Sequence, residues 1–162
     1  GIKAEFTIVG AGEFLENLKE QVSELDLHDQ VNFLGQVGNT EVMDELHSAD
    51  LFVFPTTAPE GFPKAVLEAM STGLPVITSS VSVLPDLIGK AGAGFALEEL
   101  SPLAIAEAIQ RMVEDKDLYN SFSSNAFRKA QEYTLEGWAD NIKDHLNSTF
   151  DWSLVRHKEI LK

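Results

Sequence analysis

The sequence predicts an α/β fold, a Rossmann-like doubly wound parallel sheet followed by a helical carboxy-terminal segment. Two observations predict it. Short apolar runs alternate with stretches of helical periodicity as far as Leu97, and after Leu97 only the helical periodicity continues. Strands that alternate with helices form a parallel sheet, because each helix returns the chain to the end at which the previous strand began.

The apolar runs predict five strands. They cover residues 5–9, 31–34, 51–54, 75–78 and 94–97. Between the first two, apolar residues recur at the spacing of a helix: Phe14, Leu15, Leu18, Val22 and Leu25. Asn39 or Thr40 is expected to cap the next helix, and Pro63 to occupy the first position of a third helix that ends at Gly73.

Three helices are predicted after the last strand. The first begins at Pro102 and turns four apolar side chains inward: Ile105, Ala108, Ile109 and Met112. The others cover residues 116–133 and 135–150, and the tail 152–162 is apolar enough to dock on the rest. The chain shows no internal repeat and no linker, so residues 1–162 are expected to form one domain.

The composition excludes several classes of function. The 162 residues carry a formal net charge of −14 and show no cluster of Lys and Arg, which disfavours binding to nucleic acid or anionic lipid. There is no cysteine, which excludes disulfides and thiolate metal sites and is compatible with a reducing cytoplasm. The four histidines share no metal-ligand spacing, so we expect neither a bound metal nor a cofactor.

The candidate site is the segment from Glu60 to Glu68, which joins a predicted strand to a predicted helix. In a β-α-β unit the ligand crevice lies outside the carboxyl end of the first strand, so both carboxylates are expected to face one pocket. Amides around Phe62, Lys64 and Ala65, with the helix dipole behind them, suit a phosphate or a polyhydroxyl ligand.

The two carboxylates suit different parts of such a ligand. Glu68 can accept hydrogen bonds from two vicinal hydroxyls, as in a ribose, and Glu60 can reach a second sugar or a developing positive charge. The alternative interpretation is purely structural. Glu68 would then only complement the helix dipole, and Glu60 would be a solvated loop residue.

A second glycine-rich turn, Gly10-Ala11-Gly12, follows the first predicted strand. The dinucleotide-binding pattern G-x-G-x-x-G requires a third glycine where this chain has Leu15, and Glu13 would repel a pyrophosphate. We therefore expect a tight structural turn at this place.

The segment 60–68 resembles the E-x7-E motif of the retaining glycosyltransferases of family 4, the group 1 glycosyltransferases with the GT-B fold. The resemblance continues in order along nearly the whole chain, from Phe6 to the region of Trp138. It includes the strand and turn Phe6-Thr7-Ile8-Val9-Gly10-Ala11-Gly12, Val31-Asn32-Phe33-Leu34-Gly35, the segment from Ser48 to Pro55, Glu68-Ala69-Met70, Gly73-Leu74-Pro75-Val76-Ile77 and Leu84-Pro85-Asp86-Leu87-Ile88.

The resemblance implies a donor site for a nucleotide-diphosphate sugar. Glu68 would bind the ribose hydroxyls, and Glu60 would contact the hexose near its reacting carbon. The backbone of Gly61, Phe62, Pro63 and Lys64 would lie against the sugar and diphosphate, and the turn Gly35-Gln36-Val37 beside the nucleobase. Two departures stand out: Pro63 replaces the commoner glycine, and Ser82-Val83 replaces a glycine pair near the diphosphate.

The resemblance also implies that the chain is a fragment of a two-domain enzyme. The family's strand order is 3-2-1-4-5-6, and residues 5–9 match its second strand, so the central first strand would be missing. An amino-terminal acceptor-binding domain would be missing too. We expect the fragment to be inactive, the slot between strands 5–9 and 51–54 to be filled by another piece of chain or by self-association, and the enzyme to be cytoplasmic, reaching the inner membrane surface through the missing domain.

Two other functions remain open. One is a sugar-nucleotide epimerase of related fold; a phosphorylase would need a pyridoxal-binding lysine, for which only Lys64 is near the crevice. The other is a non-catalytic GT-B-like interaction domain, against which the presence of both Glu60 and Glu68 argues. The nucleotide, the sugar, the acceptor and the oligomeric state are not specified by the sequence.

Overall fold

The computed structural model describes residues 3–59 and 61–149, and its elements alternate as the sequence predicts. The strands within these ranges are β1 (Phe6–Val9), β2 (Val31–Gly35), β3 (Phe52–Phe54), β4 (Val76–Ser79) and β5 (Gly94–Leu97). The α-helices are α1 (Leu15–Glu24), α2 (Asn39–Ser48), α3 (Lys64–Ser71), α4 (Pro102–Glu114), α5 (Lys116–Ala130) and α6 (Leu135–Thr149). A π-helix covers Pro85–Lys90 and a 3₁₀ turn covers Gln131–Tyr133.

The five predicted strands are all present, with bounds that differ by a single residue where they differ. Pro75 shows why. Its carbonyl accepts a hydrogen bond from the Phe52 amide at 3.1 Å, but a proline has no N–H to donate, and β4 begins at the next residue. Glu60 and the tail 152–162 lie outside the described residues.

Strand β4 has its four residues buried and separates two apolar layers. On one face Val76 packs with Val66 and Met70 of α3 and with Ala126 of α5. On the other face Ile77 packs with Ala108 and Met112 of α4. Helices therefore cover both faces, which confirms the predicted doubly wound arrangement.

The strands form two separate parallel sheets. One pairs β1 with β2, and the other has the order β3-β4-β5. Within the described ranges, β1 has no pairing partner besides β2, and β3 has none besides β4. The prediction that the strands at 5–9 and 51–54 are not direct neighbours is therefore confirmed. Helix α2, which connects β2 to β3 in the chain, packs Leu46 against Ala69 of α3 and Leu74.

Helix starts follow the capping rules in α4 and α5 but not in α2. The Ser101 hydroxyl accepts a hydrogen bond from the Ala104 amide, and Asp115 accepts one from the Leu118 amide. Helix α2 already includes Asn39 and Thr40, the two residues of which one was expected as its cap. The capping position is taken by Gly38, whose extended backbone leads into the helix without a side-chain hydrogen bond.

The entry to β3 is tied to the carboxy-terminal helices. The Tyr119 hydroxyl of α5 donates to the Asp50 carbonyl at 3.1 Å. Burial, and then the negative charge of Asp50, raise the pKa of Tyr119, so the hydroxyl keeps the proton that it donates. This bond fixes the start of the strand from which the candidate loop emerges.

The open edge of β1 predicts self-association of the 162-residue chain. The Phe6 amide donates to Gln30 beside β2, so by alternation the Thr7 amide points to the unpaired edge. Thr7→Pro removes that edge donor without removing a bond to β2, and it should shift the chain towards monomer in analytical ultracentrifugation.

Thr7→Val is the matched control, because it keeps the amide and should associate as the parent chain does. A parent chain that stays monomeric at every concentration, or equal association by the Pro and Val variants, would contradict strand-edge pairing.

Candidate functional site

The loop that leaves β3 is held by two side chains of the neighbouring strand. The Thr78 hydroxyl donates to the Phe54 carbonyl at 2.9 Å, and the Ser79 hydroxyl donates to the Thr56 carbonyl. Thr78 and Ser79 are both buried. Because buried hydroxyls need partners, these bonds fix the first residues of the loop against the edge of the sheet.

Thr56 then folds the loop on itself. Its amide donates to the Phe54 carbonyl at 3.0 Å, and its hydroxyl accepts a hydrogen bond from the Ala58 amide at 3.1 Å. This is the local turn that a threonine side chain favours. The chain is thus positioned up to Ala58, just before the predicted catalytic Glu60, which is outside the described residues.

The start of α3 differs from the prediction at two residues. Pro63 is the buried capping residue, and Lys64 is the first residue of the helix. The Lys64 amide is not free for a ligand, because it donates to the Phe62 carbonyl at 2.9 Å. Leu67 makes the first intrahelical bond, to Pro63, so the first-turn amides without a described backbone acceptor are those of Ala65 and Val66.

Glu68 lies in the second turn of α3 and is largely shielded. Its side chain is 22% exposed, and its Oε1 is 3.1 Å from the Nζ of Lys64, whose side chain is 71% exposed. The first turn of α3 carries no acidic residue, so the structural alternative, in which Glu68 only complements the helix dipole, loses its geometric basis.

The ion pair between Lys64 and Glu68 is a weak one. An exposed pair four residues apart on a helix contributes about 0–1 kcal/mol, and the order Lys before Glu is the less favourable orientation. A ligand with two hydroxyls can therefore replace Lys64 at the carboxylate at small cost.

The turn Gly35-Gln36-Val37 lies on the other sheet, at the carboxyl end of β2. Gly35 has φ +67°, a conformation that favours glycine, and its carbonyl accepts the Gly10 amide at 2.7 Å. Gly10 itself has φ +128°, in agreement with the structural turn predicted there. The structure thus brings Gly61–Lys64 and Glu68 together on one segment, and leaves Gly35–Val37 on a separate one.

The loop after β4 is a third element at this end of the sheet. Because β3 and β4 pair in parallel, with Phe54 opposite Thr78, their following loops emerge side by side. Ser82 in this loop has φ +55°, which costs a non-glycine residue about 1 kcal/mol. This conformation explains why a glycine would suit the position at which the chain departs from the family pattern.

One contact at the site was not predicted from the sequence. The ring of Phe62 meets the ring of Trp138 of α6 edge to face, with 6.2 Å between the centroids and 83° between the planes. The residues are far apart in the chain, and nothing in their local sequence signals the contact.

One concavity lies away from the candidate loop, and a second of about 270 Å³ is lined by Trp138 and other residues of α6. The first, of about 490 Å³, lies at the junction of α4 and α5, lined by Arg111, Asp115 and Lys116 among others, none of which was predicted to bind a ligand. Over the described residues no group of His, Asp and Glu is arranged to hold a metal ion. No described helix is both long and apolar enough to cross a membrane.

Comparison with known proteins identifies related sequences and folds. The family described as "Glycosyl transferases group 1" matches residues 1–129. The amylovoran biosynthesis glycosyltransferase AmsK of Erwinia amylovora is 34% identical over 113 residues, which are 67% of this chain and 28% of that protein. The UDP-Gal:alpha-D-GlcNAc-diphosphoundecaprenol alpha-1,3-galactosyltransferase of Escherichia coli is 33% identical over 141 residues, 86% of this chain and 35% of that protein.

The fold is also that of solved glycosyltransferases. The Anabaena protein Alr3699/HepE, crystallised with UDP and glucose, superposes with a TM-score of 0.77 at 26% identity, over 88% of this chain and 40% of that one. This likeness confirms the predicted fold class, a Rossmann-like half of the GT-B architecture. The chain spans well under half the length of each of these three proteins.

The hydrogen bond from Thr78 of β4 to the Phe54 carbonyl can be tested by its contribution to the free energy of unfolding. Thr78→Val keeps the shape of the side chain and removes the hydroxyl donor to the Phe54 carbonyl, which keeps the Thr56 amide as a donor. It should lower the free energy of unfolding by about 1 kcal/mol, the net contribution of one hydrogen bond. Urea denaturation of the chain measures the change.

Thr57→Val is the control, since Thr57 is exposed in the same loop. It should leave the stability within about 0.5 kcal/mol of the parent. Equal effects of the two substitutions would show that the Thr78 hydroxyl is not an anchor.

Proposed function

Because this chain belongs to the group 1 glycosyl transferases, we propose that it is the donor-binding half of an enzyme that transfers a hexose from a nucleotide-diphosphate sugar. The enzyme is of family 4 and retains the anomeric configuration. The observation that carries the proposal is the position of Glu68. Its shielded carboxylate lies on the helix that follows the loop from the carboxyl end of β3, where parallel α/β folds bind nucleotides. Among the described residues, its ion-pair partner is the exposed Lys64.

Glu68 binds the ribose of the donor in this proposal. Two vicinal hydroxyls donate to its two carboxylate oxygens and displace Lys64, whose released ammonium can turn to the diphosphate. The backbone of Gly61, Phe62, Pro63 and Lys64 lies against the sugar and diphosphate. The ligand in HepE supports UDP as the nucleotide to test first, because that protein was crystallised with UDP and glucose.

Glu60 and the turn Gly35-Gln36-Val37 complete the proposed site. Glu60 contacts the hexose near its reacting carbon, and the turn lies beside the nucleobase. No protein nucleophile is required if the nucleotide diphosphate leaves from the face that the acceptor attacks, so catalysis rests on positioning and on stabilising the leaving group. The E. coli relative is named for an alpha linkage formed from UDP-Gal, which supports retention.

The acceptor site belongs to another part of the enzyme in this proposal. The chain spans 28% and 35% of the two relatives, so most of each relative lies beyond the match. We expect the 162 residues alone to bind donor but not to transfer sugar, and the whole enzyme to work in the cytoplasm, reaching the inner membrane surface through another domain. The epimerase and the non-catalytic alternative gain no support, because the relatives are named glycosyltransferases.

Glu68→Gln in the full-length enzyme tests the ribose contact. Loss of a charge-assisted hydrogen-bonded pair should weaken UDP binding by about 10- to 100-fold, which corresponds to roughly 1.5–3 kcal/mol. Titration calorimetry measures the affinity, and a thermal melt checks that the variant is folded.

Glu107→Gln, at an exposed position on α4, is the control and should bind UDP as the parent does. If Glu68→Gln binds UDP, GDP and ADP with the parent's affinities and melts at the same temperature, Glu68 does not hold the ribose.

Glu60→Gln tests a different role, because a contact near the reacting carbon matters most in the transition state. We expect kcat to fall more than KM for the donor rises. Steady-state kinetics with the full-length enzyme separates the two. A raised KM with unchanged kcat would assign Glu60 to ground-state binding.

A further inference from the structure

The contact between Phe62 and Trp138 lies next to the proposed donor site. Phe62 directly precedes Pro63, and its carbonyl accepts the Lys64 amide, so the direction of the Phe62 peptide group determines the direction of the backbone that enters α3. Phe62 is 54% exposed and Trp138 is 46% exposed, so neither ring is held by burial in the core. The edge-to-face contact is the ring contact described for each of them.

Trp138 is itself fixed by its position at the start of α6. The Trp138 amide donates to the Thr134 carbonyl at 2.9 Å, and the Gly137 amide donates to the Thr134 hydroxyl at 3.1 Å. The residue before Thr134, Tyr133, packs on the core cluster that contains Ala126 and Ala130 of α5. The first turn of α6 is therefore rigidly connected to the core.

The elements that carry Phe62 and Trp138 are both connected to the same core cluster. Val66 and Met70 of α3 pack in the cluster on which Tyr133 packs. These contacts form a closed path. It runs from Phe62 through α3 and the core cluster to Tyr133 and Trp138, and the ring of Trp138 contacts Phe62 again. Gly61 and Phe62 are exposed, so in such a closed path the ring contact restrains the loop end that burial does not hold.

We propose that Trp138 is a positioning residue for the donor site: through its ring contact with Phe62 it holds the backbone of residues 61–64 in the conformation that binds the donor. This inference rests on the proposed function and assigns to α6 a part in it. Helix α6 is described over its whole length and buries none of its residues. The contact at Trp138 is therefore the place where this helix acts on the site.

The test is a double-mutant cycle on the full-length enzyme with UDP as the probe. Trp138→Ala and Phe62→Ala should each weaken UDP binding by about 3- to 10-fold, the range expected from an edge-to-face pair. The double variant should bind no more weakly than the weaker single variant, because the second change removes a contact already lost. Trp138→Phe keeps a ring and should restore most of the affinity.

A control on the same helix separates positioning from general stability. Leu135→Ala changes a side chain that is 86% exposed and should leave UDP affinity unchanged. In ¹⁵N spectra of the 162-residue chain, Trp138→Ala should shift the amides of Gly61 and Lys64, and Leu135→Ala should not. A merely structural role would not produce rescue by Phe together with non-additive Ala variants.

The outcomes distinguish this inference from the function on which it rests. If the parent enzyme binds none of UDP, GDP and ADP, the proposed function fails. If the parent binds UDP and Trp138→Ala binds it equally well, the proposed function stands and the positioning role of Trp138 is overturned. Additive losses in the double variant would likewise overturn it, since independent effects show that the two rings do not act together.

Discussion

Strand β4 determines where β3, β5 and the helices on its two faces lie. Its four residues are buried, with one layer of helices on each face, and both of its edges are paired in parallel, to β3 and to β5. At Gly94 the β5 backbone comes so near that a Cβ would lie 1.8 Å from the Val76 carbonyl oxygen, so no other residue fits there. A strand enclosed on all sides in this way cannot shift its register without exposing apolar surface.

Strand β4 also positions the candidate loop. Thr78 and Ser79 face the end of β3 and hold the carbonyls of Phe54 and Thr56, so the loop begins in a defined direction. The end of the loop is restrained by α3, whose buried side chains pack in the core, and by the ring contact between Phe62 and Trp138. Glu68 is therefore carried by a rigid helix, while the segment before it is held at two ends. A binding site needs this combination, because affinity depends on groups that are already in place.

The sequence predicts local structure better than it predicts distant contacts, and particular residues show why. The run Val76-Ile77-Thr78 follows the helix-ending residues Gly73-Leu74-Pro75 and is rich in β-branched side chains, and the strand was located to within one residue. Asn39 and Pro63 were each misplaced by one position, because a helix start depends on backbone angles that several neighbouring residues can adopt. The Lys64 amide was expected to be free, but the Phe62 carbonyl lies close enough to accept a hydrogen bond from it.

Phe62 and Trp138 form a pair only after α6 has docked, and no periodicity in one sequence encodes that event. Glu60, the residue on which the catalytic prediction rests, lies outside the described part of the chain.

The division of the strands into two sheets has a consequence for what the protein can distinguish. The turn at Gly35 belongs to the sheet of β1 and β2, and Glu68 follows a strand of the other sheet. In the proposed donor site, the spacing between β1 and β3 would set the distance between the nucleobase and the ribose. A single parallel strand in that space would set β1 and β3 roughly 9–10 Å apart, since neighbouring strands are about 4.7–4.9 Å from each other. If the proposal is right, the space for the base beside a ribose held by Glu68 depends on the spacing between the two sheets as well as on the side chains at either end.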